Sequence, residues 1–132
     1  MAKITALIGK ENYRTLVASS TNEILADEPV DKGGTDLGFS PGELLSASLA
    51  SCTAITLRMY SDRSQWTVRQ IRVEVEFHRD PASNNTKFHR NIFIEGDLEV
   101  SNRNKMLAIA NACPMHRLLM SQINIESQIT EL

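Results

Sequence analysis

Along the chain, three short apolar runs, Lys3–Ile8, Tyr13–Ser19 and Glu23–Ala26, come first, separated by Gly-Lys-Glu-Asn and Ser-Thr-Asn breaks. Short runs parted by turn formers predict a three-stranded meander. Residues 27–39 (DEPVDKGGTDLGF) hold four acids, three glycines and a proline, which suits a surface connector. Ser40-Pro41-Gly42-Glu43 then sets out a helix start. Ser40 caps the free amides, Pro41 takes the first helical position, and Glu43 closes a capping box three residues after the cap. The predicted helix runs to Asp62, a length of roughly 33 Å at about 1.5 Å per residue. From Leu44 to Leu57 it carries no charge on any face, the pattern of a helix enclosed on all sides.

After Trp66, Ile71, Val73, Val75 and Phe77 alternate with Arg72, Glu74, Glu76 and His78. A period of two predicts a half-buried strand over 68–78. An Asp-Pro-Ala-Ser-Asn-Asn turn returns the chain into a second strand over 88–95, giving an antiparallel hairpin. A second helix is predicted from Ser101, carrying Met106, Leu107, Ile109 and Ala110 toward Asn111. Pro114 interrupts it, a short helix follows over 115–120, and the alternation over 123–129 predicts a closing strand. These elements describe an α+β fold, one domain over 1–132, without repeat, low-complexity segment or linker. So small a chain has few elements with which to surround a long uncharged helix, so a partner subunit is expected to supply part of the cover.

Composition narrows the function classes. The chain has 132 residues, 42% hydrophobic and 23% charged, which fits one globular domain or one subunit of a small oligomer. A net charge of −2 lacks the basic balance of a nucleic-acid binder. The uncharged helix is too short and serine-rich for a bilayer, which needs about 20 largely apolar residues, so no membrane partner is expected. The opening Met-Ala-Lys-Ile-Thr-Ala-Leu-Ile has no secretory signal pattern, and a cytoplasmic location is expected. There, two cysteines 61 residues apart read as reduced thiols or as a redox-cycling pair.

Cys113-Pro114-Met115-His116 is the sharper local signal for chemistry. Pro at the first position of a helix makes Cys113 its cap, where unpaired amides favour a thiolate. His116, one turn on, is a candidate proton-accepting or cationic neighbour, or else a surface residue. Cys52 lies in the middle of the long helix with no dipole end beside it, where a small core residue is the plain alternative. Glu43 has an equally plain role as the capping-box acid. Nine residues separate it from Cys52, about 13.5 Å along the axis and half a turn out of phase. His78 and His89 fall on strand positions that suit a solvated face. Cys52, Cys113 and His116 lack the doubled spacing of a zinc site, and Gly33-Gly34 lacks the lysine and the glycine spacing of a phosphate loop. No metal and no cofactor are expected.

The run Asp27-Glu28-Pro29, Gly33-Gly34, Phe39-Ser40-Pro41-Gly42-Glu43-Leu44-Leu45 through Ala50-Ser51-Cys52-Thr53, followed by Ala112-Cys113-Pro114-Met115-His116-Arg117, resembles the OsmC-like family of osmotically inducible and organic hydroperoxide resistance proteins. The resemblance spans nearly the whole chain. It implies the OsmC-like fold as an intertwined homodimer, with two long central helices wrapped by shared sheets. It also implies reduction of organic hydroperoxides, with the attacking thiol at Cys52 and the resolving thiol at Cys113; Glu43 and His116 are taken as supporting candidates on their local positions. Two positions depart from the hydroperoxide-resistance branch. Gly42 intervenes between the helix-start Pro41 and Glu43, and the branch's N-terminal arginine has no aligned counterpart, Arg14 being the only arginine before residue 58.

Two functions follow. One is a thiol peroxidase acting on a small apolar peroxide, in which Cys52 becomes a sulfenic acid, Cys113 captures it as a disulfide, and a cellular dithiol reduces the pair. The other is a non-catalytic, redox-responsive or small-ligand-binding dimer. Within the first, the uncharged helix gives Cys52 the enclosed pocket an attacking thiol needs, while a thiol at a Pro junction ionises readily and moves, as a resolving thiol must.

Overall fold

The computed structural model describes residues 2–132, which form two compact units, one ending at Ala47 and the other spanning Ser48–Leu132. In the first, strands β1 (Thr5–Ile8), β2 (Thr15–Ala18) and β3 (Glu23–Ala26) make an antiparallel sheet in chain order. Leu16 of β2 lies opposite Leu7 on one side and Leu25 on the other. The Ser19 hydroxyl shapes the β2–β3 turn by accepting the amides of Thr21 at 3.2 Å and Asn22 at 3.0 Å.

The 27–39 connector is organised from within by one carboxylate. Asp27 is only 2% exposed. One oxygen accepts the amides of Tyr13 at 3.3 Å and Glu28 at 2.7 Å. The other accepts the Thr35 hydroxyl at 2.6 Å and the amides of Thr35 at 3.3 Å and Leu37 at 3.2 Å. A 3-10 turn, Val30–Lys32, ends at Gly33 with φ 89°, a conformation that glycine adopts without a steric penalty. Next to it the backbone closes tightly, since a Cβ on Gly34 would stand 2.0 Å from the Glu28 carbonyl oxygen. Helix α1 (Pro41–Arg63) starts at the predicted capping box. The Ser40 amide donates to Glu43 Oε1 at 2.9 Å, and the Glu43 amide donates to Ser40 Oγ at 3.2 Å.

In the second unit, α1 buries Leu49, Thr53, Leu57 and Ser61, a stripe of residues four apart that forms one face. Enclosure on all sides is not found within one chain. Ile55 is 56% and Met59 54% exposed, because the elements of a single chain reach only one side of the helix. The two buried hydroxyls are satisfied by carbonyls one turn back, Thr53 on Leu49 and Ser61 on Leu57, both at 2.7 Å. Strands β4 (Thr67–Asp80) and β5 (Asn85–Asp97) form the long hairpin, pairing Ile71 with Ile94, Val73 with Ile92, Val75 with Arg90 and Phe77 with Phe88. Asp80 shapes its tip, accepting the Ala82 amide at 3.1 Å and the Ser83 hydroxyl at 2.6 Å. Helices α2 (Val100–Asn111) and α3 (Pro114–Leu119) complete the regular structure.

The core of this unit gathers Leu57, Met106 and Ala110, with Trp66, Ile71, Ile92 and Ile94 packed against them. Full burial of a side chain such as Leu57 or Met106 contributes about 1.5–3 kcal/mol. Arg58 ties the end of α1 to the start of β4, donating to the carbonyls of Val68 at 2.8 Å and Arg69 at 3.3 Å. The expected closing strand over 123–129 does not form. The segment has no ladder partner, and Ile123, Ile125 and Ile129 are 57%, 85% and 99% exposed. Alternation marks two unlike faces, but a strand also requires pairing with a neighbouring edge, and among the described residues the segment pairs with none.

Asp27 yields a stability test. The Thr35 hydroxyl outweighs the opposing effect of burial and, with the Leu37, Glu28 and Tyr13 amides, holds the carboxyl far below its ordinary range. A depressed folded pKa means stabilisation that is complete above the unfolded value of about 3.9 and fades as pH falls toward the folded one. Asp27→Asn is expected to lower the thermal midpoint by several degrees at neutral pH. The gap between the two proteins should narrow on acidification, and a gap unchanged down to about pH 2 would contradict the role given to the carboxylate.

Candidate functional site: a thiol pair beside a guanidinium

Four elements of the second unit meet around the Cys113 sulfur and the Arg90 guanidinium. Cys52 and Thr53 come from mid-α1, Arg90 from β5, Asn111 from the end of α2, Cys113 from the cap of α3 and His116 from its first turn. Pro114 holds the start of α3, and Cys113 precedes it in extended conformation with φ −64° and ψ 147°. The Cys113 sulfur thereby accepts the His116 amide at 3.4 Å. Thr53 Oγ1 lies 3.8 Å from the same sulfur, and Cys52, the residue before Thr53, also bears on its ionisation. The two cysteines, 61 residues apart, are thus neighbours. Both are free thiols, Cys113 fully buried and Cys52 half-buried.

Opposed effects set the ionisation of Cys113. Burial pushes the thiol up. The His116 amide, the Thr53 hydroxyl, the Cys52 thiol and the Arg90 charge pull it down, and together they prevail, so the thiol lies below its ordinary range.

Arg90 is half-buried. It donates to Thr53 Oγ1 at 3.1 Å and Asn111 Oδ1 at 2.9 Å, and its second terminal nitrogen lies 3.2 Å from His116 Nδ1. A guanidinium only donates, so Nδ1 must be unprotonated and the ring proton must sit on Nε2. His116 is therefore not the cationic neighbour considered from sequence. Burial and then the Arg90 charge lower its pKa, and its contribution to the sulfur is its backbone amide. Glu43 is engaged by Ser40 in the first unit. The Ser40 amide, then its hydroxyl, holds the Glu43 carboxyl below its ordinary range. Arg14 is ion-paired with Glu11 in the same unit.

Arg90 was missed by the sequence reading, although a signal was present. Phe88, Ile92 and Ile94 mark the inward face of β5, and Arg90 interrupts that series at an inward position. His89 is exposed, as is His78, which lies 3.8 Å from Glu76. Among the described residues, no three His, Cys, Asp or Glu side chains are grouped to hold a metal ion, and no helix is long and apolar enough to cross a membrane.

A family model described as OsmC-like protein matches residues 33–128. The chain belongs to the OsmC-like family. Solved structures place its fold there as well. It is similar to an OsmC-like protein from Mycoplasma pneumoniae, with TM-score 0.78, 19% identity, and coverage of 91% of this chain and 87% of that one. It is also similar to the organic hydroperoxide resistance protein OhrB of Bacillus subtilis, with TM-score 0.60, 20% identity and 89% coverage of each chain. An organic hydroperoxide resistance protein from Elizabethkingia anophelis gives TM-score 0.67 and 18% identity over 89% of this chain and 86% of that one. At these identities the likeness establishes the OsmC-like α+β fold. No curated protein matches the sequence.

Adjacent thiols make a direct chemical prediction. Treating the folded protein with diamide should close an intramolecular Cys52–Cys113 disulfide, seen as a mass lower by two hydrogens and a peptide joining the two cysteines after digestion. Disulfides require Cα atoms within about 7 Å. Disulfide-linked oligomers formed in place of the internal bridge would show that the pair does not meet.

Proposed function

We propose that this OsmC-like protein is a thiol peroxidase that reduces small apolar organic hydroperoxides, with Cys52 attacking and Cys113 resolving. The observation that carries the reading is a half-buried Cys52 thiol next to Thr53, whose hydroxyl lies 3.8 Å from the sulfur of the fully buried Cys113. Access distinguishes the two, because an incoming peroxide can meet the partly exposed sulfur and not the enclosed one. Cys52 sulfur attacks one peroxide oxygen, the O–O bond breaks, and the Cys52 proton leaves with the alkoxide as an alcohol. Cys52 is then a sulfenic acid. The Cys113 thiolate attacks that sulfur, and the hydroxyl departs with a proton from solvent as water. The resulting disulfide is returned to two thiols by an external dithiol, which is oxidised in turn. Glu43, which fixes the start of α1, and His116, which anchors Arg90, support the two thiols.

The reading includes a single OsmC-like domain working in the cytoplasm as an intertwined homodimer. The uncharged helix supports the second copy, since Ile55 and Met59 are more than half exposed, as are Ile123, Ile125 and Ile129 of the C-terminal segment. Apolar surface of this kind is normally covered. One feature favours the alternative, a dimer that binds a small apolar ligand. In the first unit, Ile24, Leu25, Leu37 and Phe39 line an open groove of about 570 Å³, with Asp36 and Glu43 also lining it.

Role and activity are tested together by exposing Cys52→Ser and Cys113→Ser proteins to cumene hydroperoxide and weighing them. The Cys113→Ser protein should gain oxygen on Cys52, and the Cys52→Ser protein should remain largely unmodified. Oxygen on Cys113 alone would reverse the roles, and no reaction of the unaltered protein would leave the ligand-binding function. Assembly is tested by light scattering at micromolar concentration, where twice the chain mass of 14.7 kDa is expected. A cooperatively folded monomer would contradict the dimer.

A further inference from the structure

Charge is scarce on the inward face of the hairpin. Ile71, Val73, Val75 and Phe77 of β4 face Ile94, Ile92, Arg90 and Phe88 of β5 in register, so Arg90 is the one charged member of eight. A guanidinium placed among such neighbours must have its donors satisfied by protein. It is satisfied from three directions, by Thr53 of α1, Asn111 of α2 and His116 of α3. All three partners adjoin Cys113 in space or in sequence.

We propose that Arg90 is the positioning residue of the thiol site, fixing the Thr53 hydroxyl against the Cys113 sulfur and placing a positive charge in the same cluster. This deepens the peroxidase reading and rests on it for its biological meaning. The hydroxyl is the transmitting part. Thr53 Oγ1 receives an Arg90 N–H at 3.1 Å and has one proton to give. Two acceptors lie within reach, the Leu49 carbonyl at 2.7 Å and the Cys113 sulfur at 3.8 Å. With a neutral thiol the sulfur donates to Oγ1 and the hydroxyl proton stays on Leu49. With a thiolate the same proton turns to the sulfur. Arg90 cannot accept, so it never competes for that proton, and its bond fixes the oxygen while the proton changes partner. The titratable and charged groups facing Cys113 are Cys52 from α1, His116 from α3 and Arg90 from β5, while α2 contributes the neutral Asn111. His116 is neutral by its bond to Arg90, which leaves the guanidinium as the charge that favours a thiolate.

The test reads ionisation without any peroxide. The Cβ carbon of labelled Cys113 is followed by NMR against pH in the Cys52→Ser protein, alone and combined with Arg90→Met, Arg90→Lys or Asn111→Ala. Arg90→Met should reduce the thiolate population at neutral pH by about threefold or more, through loss of the positive charge and of the bond that fixes the Thr53 hydroxyl. Arg90→Lys, which keeps the charge and loses the fork, should fall between. Asn111→Ala, an exposed anchor, should move the titration slightly in the same direction. A folded Arg90→Met protein with an unchanged Cys113 titration would overturn the proposal. If that variant does not fold, Arg90→Lys and Asn111→Ala titrations that both coincide with the parent's would do so. These outcomes are separate from the fate of the peroxidase reading, which would fail on absent peroxide consumption even if the titration shifted as expected.

Discussion

The second unit depends on how a positive charge is accommodated on an apolar sheet face. Arg90 stands where the alternation of β5 calls for an aliphatic side chain, and its donors reach α1, α2 and α3 at once. Hydrogen bonds to charged groups contribute about 1.5–3 kcal/mol each, so removing the guanidinium does more than loosen one contact. It leaves Thr53, His116 and Asn111 without the donor that orients them. The packed cluster of Leu57, Met106 and Ala110 sets where the helices lie, but hydrophobic burial has no direction. Directed bonds from Arg90 determine which atoms of those helices face Cys113.

The first unit uses the opposite charge for a comparable purpose. Asp27 gathers four amides and a hydroxyl from residues 13 to 37, so a connector with little apolar content is held by one anion. The close approach of Gly34 to the Glu28 carbonyl belongs to the same economy, because a side chain there would open the loop that the carboxylate closes. In each unit, then, a buried or half-buried ion organises its surroundings through partners that are all neutral. Neutral partners leave its charge uncompensated locally, which keeps the field of Arg90 available to a nearby thiol.

Elements that rest on local pattern were legible in the sequence. The meander, the Ser40–Glu43 capping box, the hairpin and the break at Pro114 each have a short-range cause and stand within a few residues of where the pattern puts them. Pattern failed where the outcome depends on distant neighbours. Ile123, Ile125 and Ile129 alternate as a strand does, yet no edge meets them. The Leu44–Leu57 run is uncharged all round, yet one chain covers only the face of Leu49, Thr53 and Leu57. At the site, the cysteines were visible as residue types. Their setting was not, since Arg90 is 37 residues from Thr53 and 26 from His116. The interrupted alternation of β5 was the available sign, because an arginine at an inward position must find acceptors somewhere in the fold.

Access and ionisation are assigned to different sulfurs here, and the geometry explains why that division is workable. A thiol enclosed among Thr53, Cys52 and the His116 amide is well placed to be a thiolate but poorly placed to meet a solute, since it has no exposed surface. The Cys52 thiol, on an uncharged and half-buried stretch of α1, is the more accessible of the two. In the proposed reaction, the resolving sulfur sits at the Pro114 junction, in the same unit as Cys52, where local movement at that junction is the adjustment disulfide formation calls for.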